Sequence, residues 1–358
     1  MQKNKLEKLA SERSLPCVTI SMNTHRLPAD NHKDGIELDK LIKEAHLHVA
    51  AEFGHQDVDR LLAKIDHLGD EMDLHYRMES IHIFLSDSTT EIVKSPWPIS
   101  KNTVAVAENF VIKPLIKDLN RMEEYLILVL SQSEVRLLKA TNDIISGDVK
   151  GEDFPFDVNP FSMGDQANAS DGKQNDNMVR EFFNQIDKAV VKFHHKTEMN
   201  VVVMCTEKNW SLLTQVADKP SIYYGNTSLN HSDTVNRSLA SDAWQIVVAI
   251  QDKARDMAIA DMQEAAGKGK VITDLLDIYL AVKAGRGELL ITHDDYHQAV
   301  KMNGQYSFYP VDDLTMPGVI DDITSEIAWE VISKKGRAIF TNQPAFKSLG
   351  SIALKVRY

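Results

Sequence analysis

The segment EEYLILVLSQSEVRLLKAT (residues 123–141) decides the fold of the central part of the chain. Its first apolar stretch, YLILVL (residues 125–130), is almost continuously hydrophobic, which is typical of a strand that is covered on both faces. The polar turn SQS (residues 131–133) separates it from a second apolar stretch. The segment therefore predicts two neighbouring strands, the first of them central in a sheet.

A long polar segment and a regular helix follow these strands. Residues 147–177 are mostly Asp, Asn, Gly, Pro and Ser, and a loop of this length is usually functional or disordered. From near Asn177 a helix is predicted, whose apolar face contains Met178, Phe182, Phe183, Ile186 and Val190. The apolar strand VVVMC (residues 201–205) comes next. A strand, a crossover helix and a strand predict a partly parallel sheet in a ribonuclease-H-like or similar three-layer arrangement.

Strands and helices also alternate on both sides of this central part, so the predicted fold class is α/β throughout. We expect three α/β domains, because 358 residues exceed what one ordinary core accommodates. The predicted divisions are an N-terminal domain at 1–119, a middle domain at 120–236 with the long polar loop 147–177, and a connector helix with a C-terminal domain at 237–358. In the last domain, Asp322 is the predicted N-cap of a helix that ends before Gly336.

Composition and charge restrict the classes of function. The net charge of -12 opposes nonspecific adhesion to nucleic acid, so any contact with RNA must be local. No run of about 18 apolar residues could span a bilayer. The N-terminus, MQKNKLEKLASERS, lacks the apolar centre of a secretory signal, and we expect a cytoplasmic protein. Cys17 and Cys205 lie in separate strand-like segments, which predicts buried free thiols.

The search for catalytic motifs leaves two candidates. The run THDDYH contains His293, Asp294, Asp295 and His297 after a predicted strand, a place where sites often lie in α/β units. A solvated turn with helix-capping aspartates explains the same residues, and no metal or cofactor is predicted. GKGK (residues 267–270) lacks the spacing of a phosphate-binding loop.

The second candidate is DGKQ (residues 171–174), at the end of the polar loop. The Gln174 amide offers one acceptor and two donor hydrogens, and Gly172 lets the backbone approach a partner closely. Together they could orient a water molecule at an ester that another molecule carries. A flexible solvent loop is the alternative interpretation.

The order of these units resembles the superfamily of archaeal and eukaryotic class 1 peptide-chain release factors and their ribosome-rescue relative Pelota, in particular a bacterial branch. The resemblance is spread over nearly the whole chain. It is carried by PCVTISMNTHR, ESIHIFLS, EEYLILVLSQSEVRLLKA, MVREFFNQIDKAVVKF, GKVITDLLDIYLAVKAGRGELLIT and the closing SIALKVRY. It implies an N-terminal domain for the decoding site, a ribonuclease-H-like middle domain that enters the peptidyl-transferase centre, and a ribosomal-protein-like C-terminal α/β sandwich that docks partners.

Three motifs of the superfamily are changed in this chain. The release factors carry Gly-Gly-Gln at the tip of the middle domain, and the matching residues here are Gly172, Lys173 and Gln174. If a glycine-only conformation is needed at the middle position, lysine would strain it. The stop-codon motif Asn-Ile-Lys-Ser is absent from the matching turn AAEFGHQDVDR, and the Tyr-x-Cys-x-x-x-Phe element keeps only Phe110. Stop-codon reading by the known route is therefore not expected.

The leading functional hypothesis is a release-factor-like, tRNA-shaped protein that binds a ribosome or tRNA-like site in rescue, termination or silencing. The ribosome or RNA is the expected partner, and a translational GTPase is a further candidate. Independent catalysis is not expected. If the protein hydrolyses peptidyl-tRNA, the resemblance gives catalytic roles to Gly172, which shapes the loop, and to Gln174, which positions the water. The alternatives are a small-molecule or nucleic-acid hydrolase that uses the residues around THDDYH, and a non-catalytic interaction protein.

Overall fold

The computed structural model describes residues 3–25, 31–54, 58–71, 78–130, 135–151, 153, 154, 156, 172–228, 236–313, 316 and 318–358. The chain forms two compact units. Unit 1 consists of Met1–Asn120 and Arg255–Tyr358, and unit 2 consists of Arg121–Ala254. Each unit contains sheets and helices, which confirms the predicted α/β class.

The first part of unit 1 is an antiparallel sheet with helices. Its strands are β1 (Cys17–Asn23), β2 (Ser80–Leu85), β3 (Thr90–Ser95) and β4 (Thr103–Ala107). Its helices are α1 (Lys3–Ser11), α2 (Asn31–Phe53), α3 (Asp59–Glu71) and α4 (Lys113–Arg121). Across the sheet the strand order is β3-β2-β1-β4.

Strand β1 is buried on both faces, and its alternating residues enter different clusters. Val18, Ile20 and Met22 share a hydrophobic cluster with α2 and α3. The members of this cluster from the two helices are Leu38, Leu41, Ile42, Ala45, Val49, Leu61, Leu62, Ile65 and Leu68. Cys17 instead joins a second cluster with Phe84 and Phe110. The period of two that predicts this strand therefore reflects real burial.

His82, on β2, is a buried imidazole whose hydrogen-bond partners are uncharged. Its Nδ1 lies 2.9 Å from the Ser21 hydroxyl oxygen, and its Nε2 lies 3.4 Å from that of Ser80. Burial lowers the pKa of His82 from 6.5 to about 4. The native structure therefore holds the neutral imidazole, whereas the unfolded chain takes up a proton first as the solution is acidified.

We expect unit 1 to lose about 2–3 kcal/mol of its free energy of unfolding through His82 as the pH falls from 7 to 4. The loss begins near pH 6.5, because the pKa of His82 is depressed in the fold. Hydrogen exchange in peptides from β1 and β2 measures it. His82→Gln should flatten the pH dependence, and the exposed His48→Gln is the matched control. An unchanged pH slope in His82→Gln would exclude His82 as the titrating group.

Unit 2 is built around a five-stranded mixed sheet. Its strands are β5 (Glu124–Leu130), β6 (Val135–Thr141), β7 (Ile144–Asp148), β8 (Val201–Met204) and β9 (Tyr223–Thr227). Its helices are α5 (Gly172–Thr197), α6 (Glu207–Val216) and the beginning of α7 (Asn236–Gly267). The strand order is β7-β6-β5-β8-β9, with β5, β8 and β9 parallel and β5, β6 and β7 antiparallel. This is the ribonuclease-H-like topology that the sequence predicts.

Strand β5 is the central strand, as its continuous apolar run predicts. Leu126, Leu128 and Leu130 belong to the hydrophobic cluster that contains α5. Tyr125, Ile127 and Val129 belong to the cluster that contains the first turns of α7. The sheet is therefore covered on both faces, which explains why no polar residue interrupts the run.

The second part of unit 1 contains a mixed sheet and a small antiparallel sheet. The mixed sheet has the order β10-β16-β11-β15, from β10 (Val271–Ile272), β11 (Gly287–His293), β15 (Arg337–Thr341) and β16 (Ile352–Val356). The small sheet contains β12 (Val300–Met302), β13 (Phe308–Pro310) and β14 (Val319–Ile320). Its helices are α8 (Leu275–Lys283) and α9 (Ile323–Ser333). Within the described ranges, no helix is long and apolar enough to cross a membrane.

Helix α9 begins and ends where the sequence predicts, but the left-handed residue after it is not Gly336. The Asp322 carboxylate accepts a hydrogen bond from the Thr324 N–H at 3.0 Å, which confirms the predicted N-cap. At the other end, Lys335 has φ 65°, so the left-handed residue is a lysine. Gly336 is required for space instead, because a Cβ there would lie 2.6 Å from Val331 Cγ1 and 3.0 Å from the Gly287 carbonyl oxygen.

The two parts of unit 1 share one hydrophobic cluster. It contains residues of α1 and α4, such as Leu6 and Leu115, together with residues of α8 and α9, such as Ile278 and Ile327. At its edge, the Ser325 hydroxyl oxygen accepts hydrogen bonds from the N–H groups of residues 112 and 113 at 3.2 Å and 3.1 Å. The two parts thus belong to one unit, and the division at 1–119, 120–236 and 237–358 stays a prediction.

Candidate functional site

Helix α5 contains both sequence-predicted catalytic residues. It begins at Gly172 rather than near Asn177, so Gly172, Lys173 and Gln174 form its first turn. Their side chains, and residues 157–171 of the predicted polar loop, lie outside the described residues. A helical backbone is open to any L-residue, so Lys173 is accommodated there without the strain of a glycine-only conformation.

The apolar face of α5 fixes the helix against the sheet. Phe182, Phe183, Ile186 and Val190 are buried as predicted and share a cluster with residues of β5 and β8. Met178, which the same pattern assigns to this face, is 53% exposed. The predicted apolar face is therefore wrong at its N-terminal end, because the sheet supports only the later turns of the helix.

A buried carboxylate interrupts this apolar face. Asp187 is fully buried, and it accepts hydrogen bonds from the Tyr223 hydroxyl at 2.7 Å and from the Asp218 N–H at 2.9 Å. Burial and the Asp187 carboxylate raise the pKa of Tyr223, so this phenol remains a neutral donor. Asp187 is not among the site residues predicted from the sequence, although a charged residue between Ile186 and Val190 on an apolar face is a visible signal.

A polar groove runs beside the early turns of α5. It has a volume of about 570 Å³. Its lining residues are Asn177, Arg180, Glu181 and Asn184 of α5 with Gln215 and Val216 of α6. Amide groups, one guanidinium and one carboxylate offer hydrogen bonds and charge, and no Ser, Cys or His lies beside the Glu181 carboxylate in this lining. The groove can therefore recognise a polar partner and does not by itself supply a hydrolytic centre.

The residues of THDDYH form a hydrogen-bonded turn after β11. The His293 Nδ1 accepts from the Asp295 N–H at 3.3 Å, and the His297 Nδ1 lies 3.2 Å from the Asp295 carbonyl oxygen. The Asp294 carboxylate accepts from the Asn342 amide at 2.9 Å and lies 3.4 Å from the Lys117 ammonium. These side chains act within the turn and do not converge on a common point, which favours the turn interpretation.

Metal ligands are likewise not gathered in the part of the chain that the structure describes. No group of three or more His, Cys, Asp or Glu side chains there could hold an ion. Cys17 and Cys205 are buried free thiols, as predicted. Burial raises the pKa of Cys17 to about 11 and that of Cys205 to about 12, so neither is a thiolate at neutral pH.

Residues 124–286 match the family model of bacterial archaeo-eukaryotic release factor family 3. This range begins at β5 and contains the ribonuclease-H-like sheet and helix α5. No curated protein sequence matches the chain.

Three solved structures illustrate the structural similarity. Archaeal Pelota in a model of a ribosome-bound complex with ABCE1 is 11% identical, with coverage of 99% of this chain and 94% of that chain and a TM-score of 0.43. S. cerevisiae Dom34 is 13% identical, with coverage of 78% and 73% and a TM-score of 0.39. The archaeal termination factor aRF1 is 12% identical, with coverage of 100% and 99% and a TM-score of 0.22. Because these TM-scores are low, the relationship to release factors depends on the sequence match of residues 124–286 to the family model. Over residues 124–286, that match bears out the predicted resemblance to archaeal and eukaryotic-type release factors of a bacterial branch.

Proposed function

We propose that this chain binds the ribosome as a release-factor-like protein that acts in rescue, termination or silencing. The supporting observation is the family match over residues 124–286, which contains the ribonuclease-H-like sheet and α5. The proposal includes a cytoplasmic location, a translational GTPase as a further partner, and the three-domain division of the chain. With a net charge of -12, binding must depend on local surfaces and shape rather than on general attraction to RNA.

Co-sedimentation with ribosomes tests the proposal directly. We expect the full-length protein to sediment with ribosomal fractions at moderate salt and to remain in the supernatant when ribosomes are left out. A mixture of bovine serum albumin and ribosomes is a control for trapping, since albumin is also acidic. If the protein stays in the supernatant with empty, translating and stalled ribosomes alike, ribosome binding is excluded.

For chemistry at the ribosome, we propose that any peptidyl-tRNA hydrolysis depends on the first turn of α5. In such a reaction, the water oxygen attacks the ester carbonyl carbon, the bond to the tRNA ribose oxygen breaks, and that oxygen leaves as a hydroxyl with the proton that the water loses. The Gln174 amide would hold the water by hydrogen bonds, and Gly172 would allow close approach of the backbone. An amide is neither a strong acid nor a base, so it contributes through positioning. Lys173 replaces a glycine of the release-factor motif. Because the helical backbone accommodates lysine without strain, we attribute a reduced activity of the native sequence to the bulk of the lysine side chain, which hinders close approach to the ester.

Lys173→Gly is expected to raise peptide release from stalled ribosomes about tenfold or more, because positioning a reactive group can change a rate by that amount. The rate of release of a labelled nascent peptide measures the effect. In the Lys173→Gly background, Gln174→Ala should return the rate to that of the native chain. Lys208→Gly is the control for loss of a lysine elsewhere in unit 2. If Lys173→Gly and Lys173→Gly/Gln174→Ala release the nascent peptide at equal rates, the proposal that Gln174 positions the water is excluded.

A further inference from the structure

Three lysines line one cavity of unit 2, and a fourth lies over the ring of Phe193, which also lines it. Lys139 is on β6, Lys150 follows β7, and Lys192 and Lys196 lie one turn apart on α5. We call these four residues the lysine patch. The cavity has a volume of about 290 Å³, and Lys150, Lys192 and Lys196 are among its lining residues.

The contacts of the lysine patch leave most of its positive charge available to solvent. All four lysines are exposed. The Lys192 ammonium lies 2.7 Å from an Asp153 carboxylate oxygen, and the Lys139 ammonium lies 5.4 Å from the centre of the Phe193 ring. Among the described residues, neither Lys150 nor Lys196 has an ion-pair partner. The Asp153 carboxylate thus offsets part of the positive charge at this surface.

This concentration of charge is not a result of a basic composition. The protein carries a net charge of -12, so a random surface would have an acidic excess. On α5, Lys192 and Lys196 are four residues apart, a spacing at which like charges destabilise a helix. A polyanion bound at the patch would remove this repulsion. Lysine ammonium groups are compact point charges, which suit phosphate oxygens.

We propose that the lysine patch binds the phosphate backbone of RNA. This inference deepens the proposed ribosome binding and rests on it for the choice of RNA as the polyanion. The patch supplies the local cationic surface that an acidic protein needs in order to approach RNA. Asp153 orients Lys192 and also weakens the patch, because its negative charge would lie close to a bound phosphate.

A short RNA hairpin is the probe for this site. Replacing Lys150, Lys192 and Lys196 by alanine in the full-length protein should weaken hairpin binding roughly thirtyfold at physiological salt. The slope of log affinity against log salt should fall by about 2–3, since each lysine–phosphate contact contributes about 0.7–0.9. The control replaces the exposed Lys101, Lys208 and Lys347 by alanine and changes the net charge equally. Fluorescence anisotropy gives the affinities, and circular dichroism verifies that each variant is folded.

Asp153→Asn provides a second test, because a variant that fails to fold would not bind the hairpin more tightly. It keeps the size of the side chain and removes the competing charge, so hairpin binding should tighten about two- to fivefold. The proposal is overturned if the native protein does not bind the hairpin, if the patch and control variants bind equally, or if Asp153→Asn weakens binding.

Ribosome sedimentation of the same variants separates this inference from the proposed function. If the native protein and the patch variant sediment equally with ribosomes, ribosome binding stands and the patch is not its contact. If the patch variant loses hairpin binding while the native protein does not sediment with ribosomes, the RNA site stands and the proposed function is wrong. If the native protein binds both the hairpin and ribosomes, and the patch variant binds neither, the results support both the RNA site and the proposed function.

Discussion

Lys113→Met is expected to reduce the free energy of unfolding of unit 1 by about 3–5 kcal/mol. The Lys113 ammonium lies 3.0 Å from an Asp322 carboxylate oxygen and 2.9 Å from the Thr324 hydroxyl oxygen, and it also donates to the Tyr296 carbonyl. The side chains of Lys113 and Asp322 are only 9% and 11% exposed. Methionine retains much of the aliphatic packing but leaves the Asp322 carboxylate without its counter-charge in a poorly solvated position.

The double variant Lys113→Met/Asp322→Asn is the matched control. Asparagine can still accept the hydrogen bond from the Thr324 N–H, so the N-cap of α9 is kept while the unpaired charge is removed. The double variant should therefore recover a large part of the lost stability. Hydrogen exchange in peptides from α4 and α9 reports on unit 1 alone. If Lys113→Met exchanges as slowly as the native protein, or if the double variant is the less stable of the two, the charge explanation is wrong.

Local sequence could not reveal this ion pair, although it predicted the helix that Asp322 caps. The two partners are separated by 209 positions in the chain. In the sequence, Lys113 is simply one polar residue in an apolar segment, and Asp322 already has a sufficient local explanation as an N-cap. Only the tertiary fold brings α4 next to the start of α9. The shared cluster of unit 1 was missed for the same reason.

Elements with strong burial were predictable because burial leaves a regular pattern. Strand β5 is apolar at successive positions because its two faces enter two different clusters. The early turns of α5 leave no such pattern: residues 172–177 (GKQNDN) contain no apolar side chain, so periodicity placed the start of the helix near Asn177. At the end of α9, glycine marked the turn correctly, but the left-handed conformation belongs to Lys335.

The candidate site was predictable only in part. The resemblance to release factors pointed to Gly172 and Gln174, whereas the lysine patch depends on the approach of β6, the segment after β7 and α5. The spacing of Lys188, Lys192 and Lys196 was visible as a basic stripe on the predicted helix. A stripe of this kind is usually a solvated face. This basic stripe differs from an ordinary solvated face because it lies close to Lys139 and Lys150. That proximity arises only when the sheet has folded.

Asp187→Ala is expected to reduce the free energy of unfolding of unit 2 by about 3–4 kcal/mol. The substitution leaves the Tyr223 hydroxyl and the Asp218 N–H without their acceptor in a buried position, and it opens a small cavity beside α5. The raised pKa of Tyr223 keeps the phenol protonated, so its donor would remain unsatisfied at any physiological pH. Urea unfolding, monitored by hydrogen exchange in peptides from α5 and β9, measures the loss of unfolding free energy.

Tyr223→Phe is the matched variant and should cost only about 1–2 kcal/mol, because Asp187 keeps the Asp218 N–H as a donor. In the double variant, the two losses should be less than additive, since the same hydrogen bond is removed only once. Simple additivity would show that the pair is not coupled. Because α5 carries both Gln174 and two lysines of the patch, Asp187→Ala should also weaken ribosome sedimentation, while Tyr223→Phe should retain it. Equal sedimentation of both variants would show that ribosome binding does not require a firmly anchored α5.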